Sequence, residues 1–99
     1  MEASTRLREQ SRLVLGNRYR AELILALAQA GACGVCLGEL ADSRRTVSSV
    51  YHAPVRALIE AGLAEKLPGV RGDHRRWYRR RGDSETWATL GQMVERLSG

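Results

Sequence analysis

Six arginines stand within eleven residues of this 99-residue chain: Arg71, Arg75, Arg76, Arg79, Arg80 and Arg81, opposed only by Asp73. That stretch holds the whole formal excess of +5, because the acidic and basic side chains elsewhere balance. A guanidinium is planar, permanently charged and presents a fork of donors that matches phosphate and guanine. The chemistry within reach is therefore recognition of oxyanions. One of the chain's two histidines, His74, lies inside the cluster, and the other is His52. Cys33 and Cys36 form a C-x-x-C, a spacing used in redox and metal sites. Two cysteines without a second pair cannot complete a four-ligand structural zinc site. An extended run over 32–36 would place the two on opposite faces roughly 10 Å apart, beyond disulfide reach. Both cysteines are therefore expected to be buried and structural, with no metal bound. No Ser/His/Asp set, Gly-rich phosphate loop or isolated carboxylate pair is present, so the sequence points to no enzyme and no cofactor.

These groups must be positioned by helices and a hairpin. Residues 5–15 are expected to form a short helix opened by Ser4 or Thr5, with Leu7, Val14 and Leu15 apolar. Asn17 is a plausible cap for a second helix over 18–30, where Tyr19, Leu23, Ile24, Leu27 and Ala30 recur at helical spacing. Arg18, Arg20, Glu22 and Gln29 fall largely on its other faces, and Gly31 ends it. Residues 32–36 suit a brief strand. A short helix over 37–42 follows, with Leu37, Leu40 and Ala41 inward, and then a polar turn over 43–46. A further helix is expected from about Ser48 to Ala61, with Val47, Val50, Tyr51, Val55, Leu58 and Ile59 as its apolar set. Pro54 inside it predicts a kink or a late start. Strands at 63–67 and 75–80 around a Pro-Gly and Gly-Asp loop form a hairpin. A last helix over 84–97 carries Trp87, Leu90, Val94 and Leu97 at the spacing of a coiled-coil seam, interrupted by Gly91.

Hydrophobic residues make up 43% of the chain and charged residues 27%, which is globular composition for one domain spanning 1–99. A core this small leaves much surface wet, so a homodimer is a natural supplement. No apolar run approaches the roughly 20 residues of a membrane span, and residues 1–6 lack the pattern of a signal peptide. The expected setting is cytoplasmic and nucleoid-associated, without membrane contact.

The ordered set of Leu15-Gly16-Asn17-Arg18-Tyr19-Arg20, Glu39-Leu40-Ala41, Glu60-Ala61-Gly62-Leu63 and Trp77-Tyr78-Arg79 resembles the winged helix-turn-helix DNA-binding domains of ArsR and MarR-type bacterial regulators. The resemblance covers about 13–80. It implies a mainly α fold with a small β-hairpin, an α+β class, here with extra terminal helices over about 5–15 and 84–97. It also implies a double-stranded DNA-binding transcriptional regulator, a dimeric repressor. The departures from the family pattern are Pro54, and Arg44 and Arg45 in a turn that is often apolar or Gly. Metal-sensing ArsR members carry Cys-x-Cys before the Leu-Ala signature; here Gly38 replaces the second cysteine, and the last helix has no His.

On the resemblance, the helix over about 48–61 reads the major groove through Ser48, Ser49, His52, Ala53 and Arg56, with Arg44 and Arg45 in the preceding turn. These are small or hydrogen-bonding groups opposite the apolar set. The basic wing, 68–80, contacts the backbone or minor groove through Arg71, His74, Arg75, Arg76, Arg79 and Arg80. Strand alternation puts Arg75, Trp77 and Arg79 on one face and Arg76, Tyr78 and Arg80 on the other, so an aromatic can be buried between outward arginines. The expected dimer interface is Leu7, Val14, Trp87, Leu90, Val94 and Leu97. Two alternatives remain at this point: a winged-helix module that docks an acidic protein partner, and a thiol- or metal-responsive sensor using Cys33 and Cys36.

Overall fold

The computed structural model describes residues 2–69 and 72–98, excepting the side chains of residues 2–4. Five α-helices and three short strands follow one another as α1 (Glu2–Leu15), α2 (Arg20–Ala30), β1 (Val35–Cys36), α3 (Leu37–Ser43), α4 (His52–Glu60), β2 (Ala64–Lys66), β3 (Trp77–Arg80) and α5 (Ser84–Ser98). Two 3-10 turns, Gly31–Cys33 and Ser48–Tyr51, precede β1 and α4. The class is mainly helical with a small antiparallel sheet.

The centre is α2. Ala21, Leu23, Ile24 and Leu27 are buried, because α1, α4, α5 and β3 all pack on this one helix. Burying each large aliphatic side chain contributes about 1.5–3 kcal/mol. Helix α1 begins at Glu2, ahead of the expected start. Its inward stripe is Leu7, Ser11 and Leu15. The fully buried Ser11 hydroxyl donates to the Asn17 carbonyl and accepts the Ala21 N–H at 2.9 Å, so the α1–α2 corner is closed by a serine. Asn17 folds this corner rather than capping α2: its Oδ1 accepts the Tyr19 N–H at 2.8 Å, and α2 starts at Arg20.

Helix α5 lies on α2 and α1. Trp87 and Val94 are fully buried, and Leu90 and Leu97 pack partly against the same core. The Trp87 indole donates to the Arg81 carbonyl at 2.7 Å, tying α5 to the end of β3. Gly91 explains the close approach, since a Cβ there would sit 3.4 Å from the Ala28 Cβ. The glycine costs the helix about 1 kcal/mol in propensity and lets the two helices meet. The stripe expected to be an intermolecular seam is thus covered by its own chain, and so is Leu7 at 2% exposure. A central helix with apolar residues on several sides needs covering on several sides, and α5 supplies that cover. Of the six expected interface residues Val14 alone is well exposed, at 57%.

The sheet order is β1-β3-β2, all antiparallel, with Val35 opposite Tyr78 and Ala64 opposite Arg80. Strand β3 begins at Trp77, two residues later than the alternation suggests. Gly34 is required where β1 meets β3. Its φ is 83° and ψ 177°, and a Cβ would lie 2.8 Å from the Tyr78 carbonyl oxygen.

The helix expected over 48–61 is divided. A 3-10 turn runs to Tyr51 and α4 proper starts at His52, which makes Pro54 its third residue. N–H groups of a first helical turn have no intrahelical acceptor, so the proline breaks no bond there. Pro54 is fully buried and the expected late start is what is observed. Tyr51, Val55 and Leu58 face the core, whereas Val47 and Ile59 are exposed at 62% and 39%.

Candidate nucleic-acid interface

Helix α3, its turn and the Ser48–Glu60 segment form a bihelical unit against α2. The turn is held by backbone bonds from the Arg44 N–H to the Leu40 carbonyl (3.0 Å) and from the Thr46 N–H to the Ala41 carbonyl (2.9 Å). Arg45 takes a left-handed φ of 56° to close it. Beyond the turn, Ser49, Ala53 and Arg56 are exposed and Ser48 and His52 are half-buried. Offsets of four and three residues put Ser49, Ala53 and Arg56 on one side of the segment, opposite the side that buries Tyr51, Val55 and Leu58.

The hairpin stands beside this surface. One cleft of about 300 Å³ is bordered by Ser48 and His52 from the helical segment, by His74, Arg75 and Arg76 from the hairpin, and by Cys36 of β1. A smaller groove of about 140 Å³ continues from it between α4 and β3, lined by His52, Arg56, Ile59, Arg76 and Tyr78. His52 and Arg76 belong to both, so the two hollows form one tract between helix and sheet.

The expected arginines divide into two groups. Arg75 is held by Asp73 at 3.0 Å and Glu39 at 3.2 Å and stacks over Trp77. Its hydrogen bonds draw the Asp73 carboxyl below the usual carboxylate range. Arg79 pairs with Glu65 at 2.7 Å, and Arg80 donates to the Ala28 carbonyl at 3.1 Å. Arg44, expected to face outward, turns toward buried Glu22, with its Nε 3.9 Å from Oε2. Among the described residues Arg45, Arg56 and Arg76 make no ion pair, and all three are exposed. Arg71 lies outside the described residues. The alternation in β3 is resolved in favour of Tyr78, which is buried at 7% exposure, while Trp77 is half-covered.

A buried polar cluster behind this surface was not legible in the sequence. Glu22, 1% exposed on α2, accepts from Arg8 Nε at 2.7 Å and Nη2 at 3.3 Å. The Tyr51 hydroxyl donates to Oε2 of Glu22 at 2.9 Å. Arg8 Nη2 also donates to the Arg44 carbonyl at 3.1 Å, and its guanidinium stacks over Tyr19 at 5.0 Å. The hydrogen bond to Glu22 raises Arg8 above its ordinary value. Burial, and then the bond to Glu22, push the Tyr51 phenol up. The cluster thus joins α1, α2, the turn and the 3-10 segment. Glu22 looks like an ordinary surface acid because its partners stand 14 and 29 residues away.

The cysteines part company. Cys36 is buried in β1, as expected, but Cys33 is exposed on the 3-10 turn, and both are free thiols. Among the described residues no group of three or more His, Cys, Asp or Glu side chains is placed to hold a metal ion, and no helix is long and apolar enough to cross a membrane. In comparisons with known proteins, no family model, no curated protein and no solved structure matches the chain.

Proposed function

We propose that the chain is a sequence-specific double-stranded DNA-binding regulator of the winged-helix kind, acting as a dimeric repressor. One observation carries this reading. Ser48, His52 and Arg56 of the Ser48–Glu60 segment border a continuous tract shared with Arg76 of the hairpin. The element order supports it: helix, strand, helix, helix, then a hairpin whose last strand is central in the sheet. An α-helix about 10–12 Å across matches a major groove about 12 Å wide. Small side chains at Ser49 and Ala53 let the backbone approach base edges.

In this reading Ser49 and Arg56 address bases, and Arg76, Arg45 and His52 address phosphates. Arg75 and Arg79 are held in solvent-exposed ion pairs. Pairs of this type are weak and can give way to phosphate when DNA arrives. One unit covers one half-site, and a two-fold pair reads half-sites roughly 34–36 Å apart. Because the α5 stripe is internal, the second copy is assigned to the outer side of α1, where Leu13 and Val14 are exposed at 62% and 57%.

The test is selection of bound duplexes from a random pool, followed by affinity measurements at several salt concentrations. The expected result is an enriched motif bound about a thousandfold tighter than random sequence, with affinity falling steeply as salt rises. Recovery without any enriched motif overturns sequence-specific reading.

A further inference from the structure

Both histidines of the chain border the same cleft, one from each side. His52 is the first residue of α4 and His74 belongs to the β2–β3 connection. The charged groups around the cleft can be taken element by element. The hairpin contributes Arg75, Arg76 and Asp73, and α3 contributes Glu39, which reaches the cleft through its ion pair with Arg75. The β1 strand contributes the Cys36 thiol, and the 3-10 turn contributes Ser48. Both carboxylates are engaged with Arg75, so Arg76 is the lining arginine without an ion pair among the described residues. A further cation, Arg56, lines the adjoining groove. With neutral imidazoles the cleft therefore offers an anion chiefly the Arg76 guanidinium. Imidazoles as a class change charge between about pH 5 and 8, and protonation of both adds two positive charges beside Arg76.

We propose that this cleft is a phosphate-binding site gated by protonation of His52 and His74, so that the hold on phosphate tightens as pH falls through the imidazole range. The inference rests on the DNA-binding reading for the source of the phosphate, a backbone phosphodiester, while the cleft itself can be tested without DNA. Binding an oxyanion between two imidazoles favours their charged forms, and by linkage protons favour binding of the oxyanion. Each proton taken up on binding makes the affinity fall by up to about tenfold per pH unit above the free imidazole's range. Arg76 supplies a charge that does not titrate, so some affinity remains in alkaline solution. Neither histidine is in the core, so the variants are expected to fold, which their circular dichroism checks.

The experiment follows the two imidazoles by NMR across pH in the full chain under reducing conditions. His52→Gln and His74→Gln assign the two signals. Dimethyl phosphate is the probe, since this diester keeps one charge throughout the range, and inorganic phosphate is the comparison. In parallel, fluorescence anisotropy measures a duplex at constant ionic strength. The expected result is that dimethyl phosphate raises both imidazole midpoints. The duplex then binds at least about tenfold more weakly near pH 8 than near pH 6, and each histidine variant flattens that dependence. If duplex binds with flat pH dependence and unmoved imidazoles, the gated cleft is overturned and DNA binding survives. If phosphate moves the imidazoles but no duplex binds, the cleft stands with a free phosphorylated ligand and the DNA reading falls. A response to inorganic phosphate without one to the diester likewise assigns the site to a free phosphate. Silence in every arm overturns both.

Discussion

Replacing Arg8 by Met tests whether the buried cluster fixes the reading element. The substitution removes the bonds of 2.7 and 3.3 Å to Glu22 and the 3.1 Å bond to the Arg44 carbonyl, together with the stacking over Tyr19. Glu22 keeps the Tyr51 hydroxyl at 2.9 Å and has the Arg44 Nε at 3.9 Å. Breaking one partner from a buried ion pair costs about 3–5 kcal/mol. The cost here is smaller, because Arg8 and Arg44 are 21% and 25% exposed and Arg44 can close part of the gap. Removing the cation–π stacking adds about 0.5–1 kcal/mol. The expected destabilisation is about 2–4 kcal/mol, against a total of about 5–15 kcal/mol for a domain. Urea unfolding followed by circular dichroism measures it, with an unchanged m-value showing that the folded state is retained.

The companion variants make the reasoning refutable. Arg8→Met combined with Glu22→Leu removes both charges, and apolar replacement of a buried pair is often near neutral. What remains is the orphaned Tyr51 hydroxyl, about 1–3 kcal/mol, which Tyr51→Phe relieves. The triple variant should thus be more stable than Arg8→Met alone. If Arg8→Met costs less than about 0.5 kcal/mol, the typical scale of surface substitutions, or if the three substitutions simply add, the cluster is not a coupled unit.

Three further outcomes are expected. Gly34→Ala forces a side chain into a glycine-only backbone region and against the Tyr78 carbonyl, and should cost about 2–4 kcal/mol in urea unfolding. Arg45→Gly relieves a left-handed arginine and should stabilise the fold by about 1 kcal/mol, while duplex affinity weakens for every sequence and the salt slope falls by about 1. Asp83 accepts the Thr86 N–H at 2.7 Å at the start of α5, and the bonds from Thr86 hold its carboxyl below the usual range. A depressed folded-state value gives a contribution that is complete above the unfolded value near 4 and fades as pH falls through the folded one. Asp83→Ala should therefore be less stable than the parent at neutral pH, and the difference should close on acidification below about pH 4.

The parts of the fold that were legible are those decided locally. Gly31 and Gly62 end helices with positive φ, as their type suggests. Leu37, Leu40 and Ala41 face inward because a seven-residue helix has few alternatives. Pro54 announced the late start of α4. The illegible parts depend on pairings between distant residues. The pairing of β1 with β3 joins residues more than 40 positions apart, and no local pattern reports it. The heptad spacing of Trp87, Leu90, Val94 and Leu97 is the same for a helix that meets another chain and for one that meets its own α2. Gly91, read from the sequence only as an interruption of the seam, is where α5 meets Ala28.

The same distinction governs the arginine cluster. Composition locates positive charge but not its neutralisation: Glu39 and Glu65, both outside the basic stretch, pair with Arg75 and Arg79, while Arg80 keeps its charge but is turned toward the Ala28 carbonyl. Among the described residues of the basic stretch, the arginines that remain exposed and without an ion pair are Arg76 and Arg81, and Arg76 shares its groove with Arg56 of α4. That division has a measurable consequence. Arg76→Ala and Arg56→Ala remove side chains without an ion pair, whereas Arg79→Ala first frees Glu65, a carboxylate beside the hairpin. If Arg76 grips a phosphate, Arg76→Ala should lower the salt slope by about 1. At Arg79 the missing guanidinium and the freed carboxylate act in the same direction, so affinity should fall even where Arg79 touches no phosphate. Comparing Arg79→Ala with Arg79→Ala combined with Glu65→Gln separates the two effects: recovery of affinity in the double variant identifies the freed carboxylate as the cause, and no recovery identifies a direct grip on phosphate.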